Sequence, residues 1–152
     1  MSIEDRLADL GIDLPPVAKP VAAYVPAIQV GDQISTSGQL PLVSGSLPMT
    51  GLVGDQISQG DAAGQARVAA LNALAAAADV AGGVNNIRRV VRVVVYVAST
   101  ADFTAQPAVA NGASELFGEI FGDAGRHARS AVGVPVLPLD SPVEVEVIFS
   151  VA

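Results

Sequence analysis

Arg129-Ser130-Ala131-Val132-Gly133-Val134 and, past Pro135, Pro138 and Pro142, Val143-Glu144-Val145-Glu146-Val147 decide how this 152-residue chain folds. An arginine opens one short apolar strand. Two glutamates alternate with valines on the next. Successive strand residues point to opposite sides of a sheet, so the glutamates share one face. A sheet covered on both faces would bury those charges without partners, at a cost of several kcal/mol. The pattern fits a sheet with one covered face and one face that lines a shared pocket.

Upstream, residues 87–97 read as the clearest strand. Arg89, Val91, Val93, Val95 and Val97 fall on one side, apolar beyond Arg89 and suited to meet helices. Arg88, Val90, Arg92, Val94 and Tyr96 fall on the other. Residues 57–81 read as a long helix ended by Gly82-Gly83. Val68, Leu71, Leu74 and Ala78 suit packing on a sheet, while Gln65, Asn72 and Asp79 repeat every seven residues as a solvent stripe. A second helix is signalled by Ser99-Thr100-Ala101-Asp102, with Pro107 opening its main part and Val109, Ala113, Leu116, Phe117 and Ile120 on one face. Residues 22–30 and 33–37 form a hairpin around Gly31-Asp32, followed by a long loop over 39–56 with a short strand near Met49 to Val53. Residues 2–10 form a short helix with a Ser2/Asp5 capping box and Gly11 as its stop.

The chain therefore divides into a helix and Pro-rich linker over 1–19 and a main domain over 20–152. The order strand, strand, helix, strand, helix, strand, strand specifies an α+β fold: a single mixed β-sheet with two helices packed on one face. The charged open face is expected to be closed by several sheets around a common axis.

Composition excludes several classes. There is no cysteine, hence no disulfide or thiolate metal site, and one histidine. The net charge of −7 opposes broad contact with a phosphate backbone, and the eight basic residues are scattered apart from Arg88-Arg89 and Arg92. The Gly-rich run 122–125 lacks the lysine and the strand–loop–helix order of a phosphate loop. The acidic first residues do not form a signal peptide, and no apolar run approaches a membrane span. The expectation is a cytoplasmic protein with no nucleic-acid or membrane partner.

Several segments together resemble the Rid family, also called the YjgF family. They are Tyr24 before the hairpin, Ser35-Thr36-Ser37-Gly38-Gln39-Leu40-Pro41, Asp102-Phe103, Ala128-Arg129-Ser130-Ala131-Val132-Gly133-Val134 and Val143-Glu144-Val145-Glu146. The resemblance covers about residues 20–151. It implies a chorismate-mutase-like fold and a homotrimer whose sheets form a central barrel, with clefts between subunits. It implies hydrolysis of reactive enamine and imine acids of the 2-aminoacrylate type to 2-keto acids and ammonia, with no cofactor and no metal. Some members are described as endoribonucleases or translation inhibitors. The chain differs from the best-known deaminating members in having Ala22-Ala23 in place of Gly-Pro and Ala131 in place of a cysteine. Ser114 falls near an asparagine of their second helix.

Each candidate residue also has a structural reading. Arg129 presents a planar fork that matches a carboxylate; on the residues alone it serves equally well as a partner for Glu144 or Glu146. The resemblance implies that it anchors the substrate carboxylate. Glu144 suits the general base that deprotonates water for attack on an imine carbon, with Glu146 crowding it from the same face. Its structural alternative is an interface salt bridge. Ser37 and Gly38 otherwise read as turn chemistry, and the resemblance puts them against the carboxylate. Tyr24 caps the pocket or simply packs. The Ala131 backbone carbonyl is expected to hold the attacking water, whatever the side chain. Ser114 and His127 complete the substrate-binding set, His127 being otherwise a solvated loop residue. Arg88 and Arg92 are expected to balance the glutamates. The rival functions are a non-catalytic trimer that binds small carboxylic acids, and an endoribonuclease.

Overall fold

The computed structural model describes residues 1–20 and 22–152. Its elements are α1 (Ile3–Asp9), β1 (Ala27–Val30), β2 (Gln33–Thr36), α2 (Gln59–Ala81), β3 (Arg89–Ala98), α3 (Gln106–Phe121), β4 (Ala128–Val134) and β5 (Val143–Ser150). The five strands form one sheet in the order β1-β2-β5-β3-β4. All neighbours are antiparallel except β3 and β4. Those two are parallel because α3 carries the chain from the end of one back to the start of the other.

Local chemistry sets the helix ends. Ser2 and Asp5 form the expected capping box on α1. On α2 the Ser58 hydroxyl accepts from the Asp61 amide, and Gly82 closes the helix with φ 81°. The second long helix begins later than its signal suggested. It opens at Gln106 with Pro107 in its first turn, and Thr100 and Asp102 instead bond to one another at 2.7 Å. The α2–α3 contact is tight because α2 presents alanines. At Gly112 a Cβ would collide with the Ala63 carbonyl.

The core lies between the helices and one sheet face: Val90, Val93, Val95, Val97, Val143, Val145, Val147 and Phe149 are buried against Leu74, Leu116 and Phe117. A bulge between Val90 and Arg92 in the β3–β5 pairing moves Val90 into this core. Strict alternation had put it on the opposite face. The open face interleaves Ile28, Val94, Val132 and Ile148 with Arg92, Tyr96, Glu144 and Glu146.

Two expectations about architecture are corrected. Three helices, not two, lie on the covered face, because α1 is fixed there: Leu7 is buried in the core and the Arg6 Nε donates to the Glu119 carbonyl at 2.7 Å. The sheet is also not closed into a barrel. β1 and β4 are its opposite edges and do not pair, and five strands fall short of the roughly eight that close a filled barrel.

The solvent stripe on α2 is corrected as well. Gln65 and Asn72 are buried, and only Asp79 is exposed. Asn72 Nδ2 donates to the carbonyls of Leu40 and Leu42 at 3.0 and 3.1 Å, pinning the loop after β2 onto α2. Asn72→Ala leaves both carbonyls without this donor. The expected loss is about 1–3 kcal/mol, or roughly 3–10 °C in Tm, read by thermal unfolding.

Candidate functional site

The predicted residues gather into two clusters. The first surrounds a cavity of about 410 Å³ bordered by Tyr24, Ser37, Gly38 and Glu144, with Leu40 and Leu42 in its wall and Lys19 at its edge. The end of β2 builds it. The Ser37 amide donates to the Pro26 carbonyl at 2.8 Å, and its hydroxyl to the Val25 carbonyl at 2.6 Å. Gln39 and Val145 exchange two backbone hydrogen bonds, at 2.7 and 3.0 Å. Gly38 is thereby held beside Glu144, so closely that a Cβ there would collide with the carboxylate. Glycine at 38 answers that close approach.

Glu144 has no hydrogen-bond or ion-pair partner among the described residues. Burial raises its pKa first, and the neighbouring Glu146 charge adds to the effect. Glu146 itself accepts from the Tyr96 hydroxyl at 2.8 Å, a bond that is the main cause of an upward shift at the phenol. The two glutamates thus differ. One is held by a tyrosine, and the other is free to take a proton.

The raised value has a consequence for stability. The folded chain binds a proton at Glu144 more tightly than the unfolded chain does. This favours folding most fully below the ordinary carboxylate range and is lost as pH rises through the raised value. Glu144→Gln should therefore raise Tm by roughly 1–3 °C at mildly alkaline pH, a small gain because the group is partly solvated. Thermal melts at acid pH should show the gain gone.

The second cluster lies where edge strand β4 meets α3. Arg129 Nη1 donates to Asn111 Oδ1 at 2.7 Å and to Ser114 Oγ at 3.2 Å. The Ser114 hydroxyl is 2.8 Å from His127 Nε2, and His127 Nδ1 is 2.6 Å from the Gly125 carbonyl. Ala131 follows two residues along the same side of β4. Both protons of Nη1 are engaged. The Nε–Nη2 edge of the guanidinium has no protein partner among the described residues, and that edge is one that can hold a carboxylate with two parallel bonds. Asn111 was missing from the sequence reading. Its signal was the three-residue spacing to Ser114, which puts both on one side of a helix.

The two clusters do not meet within one chain. Arg129 is in register with Val93, on the helix-covered side of the sheet. Glu144 is in register with Tyr96, three residues further along β3 and so on the open side. The structural pairing of Arg129 with Glu144 or Glu146 is absent: the ion pairs among the described residues are Arg67–Glu119 and Arg126–Asp123. Arg92 likewise bonds to the Ser130 hydroxyl at 2.8 Å rather than to a glutamate. No group of three or more His, Asp or Glu side chains among the described residues is placed to hold a metal ion. No helix is long and apolar enough to cross a membrane.

The family model described as "YjgF/chorismate_mutase-like, putative endoribonuclease" matches residues 4–151. The chain belongs to the YjgF family. Protein TCP17 of Trypanosoma cruzi is 41% identical over 142 residues, 93% of this chain and 89% of that protein. A RutC family protein of Pyrococcus abyssi is 33% identical over 130 residues, 86% and 87% of the two chains. Among solved structures, the protein Atu1372 of unknown function from Agrobacterium tumefaciens superposes with a TM-score of 0.87 at 41% identity, over 98% of this chain and 91% of that one. The YjgF family is catalytically versatile, with deaminase-like and ribonuclease-like activities. The chain shares its fold over nearly its whole length.

Proposed function

We propose that this YjgF-family chain is a cofactor-independent deaminase of enamine and imine acids, working as a homotrimer whose sites form between chains. The Arg129 cluster of one protomer supplies the anchor, and the Glu144 cavity of its neighbour supplies the base. The observation that carries this reading is the unpaired Nε–Nη2 edge of Arg129, held in place by Asn111 and Ser114. A guanidinium so held is ready for a planar carboxylate.

In this reading the substrate carboxylate lies on that edge, with the Ser37–Gly38 turn beside it. Tyr24 borders the same space. The enamine tautomerises to the imine, leaving an electrophilic carbon. Glu144, unpaired and with its pKa raised, takes a proton from water while the oxygen attacks that carbon. The Ala131 carbonyl helps to hold the water. Collapse of the adduct releases ammonia and leaves a 2-keto acid. General base action of this kind contributes ~10²–10⁴-fold in rate.

The test is release of ammonia and pyruvate from 2-aminoacrylate generated enzymatically in the assay. Wild type should exceed the buffer rate and Arg129→Ala should not. Equal rates for wild type, variant and buffer contradict the reading. Carboxylate binding without turnover would instead favour a non-catalytic binder.

A further inference from the structure

We propose that the cavity beside Glu144 takes imine acids with a second carboxylate at the end of the side chain, and that Lys19 recognises that carboxylate. The inference names a substrate class for the deamination reading above and rests on it. Lys19 is the single lysine of a chain whose net charge is −7. It borders the same cavity as Tyr24, Ser37, Gly38 and Glu144. Among the described residues around that cavity, Lys19 is the one cation and Glu144 the one carboxylate. The two form no ion pair with each other. Both charges are therefore open to a ligand.

The N-terminal arm carries Lys19 to this place. Leu7 seats α1 in the core. The Glu4 amide donates to Asn85 Oδ1 at 3.0 Å, and Asn85 Nδ2 donates back to Glu4 Oε2 at 2.9 Å. After the helix, the Ile12 amide donates to the Leu7 carbonyl at 2.9 Å. Ile12, Leu14 and Val17 then pack against the core, so the arm is laid along the body of the fold. Pro15 and Pro16 restrict its backbone, and Pro20 biases Lys19 itself towards an extended conformation. Lys19 is exposed, as befits an ammonium whose stem lies along apolar surface.

Size and lining narrow the ligand further. A closed apolar cavity of about 150 Å³ is enough for benzene. 2-Aminoacrylate has as many heavy atoms as benzene, so it fills less than half of the roughly 410 Å³ present here. Much of the remaining wall is apolar, from Pro26, Leu40, Leu42 and Pro138. Asn72 fixes part of it by bonding the carbonyls of Leu40 and Leu42. Methylene groups suit such a wall. A hydrocarbon end would offer the Lys19 ammonium no acceptor, whereas a carboxylate accepts a charge-assisted bond from it. The ligand so described has its first carboxylate on Arg129 of the neighbouring protomer, its imine carbon beside Glu144, and a terminal carboxylate at Lys19. 2-Iminoglutarate has this form. The reaction at the imine carbon is the one already described: water adds and ammonia leaves.

The experiment compares two imines of equal length, 2-iminoglutarate and 2-iminopentanoate, made in the assay by oxidases acting on glutamate and norvaline. The corresponding keto acids, 2-oxoglutarate and 2-oxopentanoate, are titrated by calorimetry on the same proteins. Wild type should prefer the dicarboxylic member of each pair about tenfold, in kcat/KM and in affinity, the lower end for a hydrogen bond between charged groups. Lys19→Met keeps the stem and should bring the members of each pair within about twofold of each other, the loss for 2-iminoglutarate falling on KM. Lys19→Arg should keep the preference. Turnover of both imines without preference in wild type, or with a preference that survives in Lys19→Met, overturns the role of Lys19 and leaves the deaminase intact. If neither imine is turned over, the deaminase reading falls, and the two keto acids decide Lys19 alone: tighter 2-oxoglutarate binding that Lys19→Met abolishes upholds it, and equal binding overturns it.

Discussion

Replacing Arg129 by lysine lowers kcat/KM for imine acids by about 10²-fold, with most of the loss in KM. Lysine keeps the charge and loses the fork. A hydrogen bond to a charged group is worth about 1.5–3 kcal/mol, and each 1.4 kcal/mol is tenfold. Losing one of the two parallel bonds to the substrate carboxylate is thus about a 10–100-fold effect. The higher figure applies here because a lysine ammonium cannot satisfy Asn111 Oδ1 and Ser114 Oγ from one nitrogen and still offer a planar edge. The anchor contacts the carboxylate equally in ground and transition states, so the loss falls on KM. Steady-state kinetics at several substrate concentrations reads the split. A fall confined to kcat would mean that Arg129 acts on the reacting carbon instead.

The second large effect comes from a single methyl group. Gly38→Ala should leave folding intact and lower kcat about 10²-fold. The backbone at Gly38 is not in the left-handed region, so alanine fits its conformation. What the new Cβ meets is the far end of the Glu144 side chain. A flexible carboxylate moves aside at little cost in stability, but it then no longer sits where water must be deprotonated. A displacement of about 1 Å in a reacting group is worth about 10²-fold. Thermal melts should agree within roughly 2 °C while the rate falls. A variant that melts far below wild type would show that Gly38 serves packing rather than the carboxylate.

Much of this fold was legible because the chain obeys simple periodicities. Val143-Glu144-Val145-Glu146-Val147 alternates without interruption, and the valines are buried while the glutamates are half-exposed. The end of α2 followed from Gly82, while its start lies at Gln59 behind the Ser58 cap, two residues later than the expected 57. The failures share a cause: each depended on a partner distant in sequence. Asn72 reads as a solvent residue on a helical wheel until the loop at Leu40–Leu42 folds over it. Val90 changes face because β3 bulges against β5, which no property of β3 alone reveals. Leu7 makes α1 part of the covered face by a contact across the fold. The barrel was implied by the resemblance, and the five strands of this chain instead form an open sheet with β1 and β4 as its edges.

The site was legible in the same uneven way. Tyr24, Ser37, Gly38 and Glu144 come together around one cavity, and Arg129, Ser114 and His127 in a separate hydrogen-bonded cluster. Sequence alone did not separate these groups, because which side of the sheet Arg129 faces depends on how β4 pairs with β3. Asn111, which makes the shorter of the two bonds to Arg129, was missed for lack of that same register. Once β4 lies parallel to β3 with α3 crossing above, Asn111 and Ser114 are the α3 residues that reach it.

The central claim is that the Arg129 anchor and the Glu144 base act from different chains. Mixing decides it. Arg129→Ala and Glu144→Gln chains, each inactive alone, are co-refolded in equal amounts and assayed for imine-acid turnover. Shared sites predict recovery to about a quarter of wild-type activity, the fraction of interfaces where two intact halves meet on random assembly. A mixture as inactive as its components, in a protein shown to have exchanged its chains, would place both groups in one protomer and contradict the account.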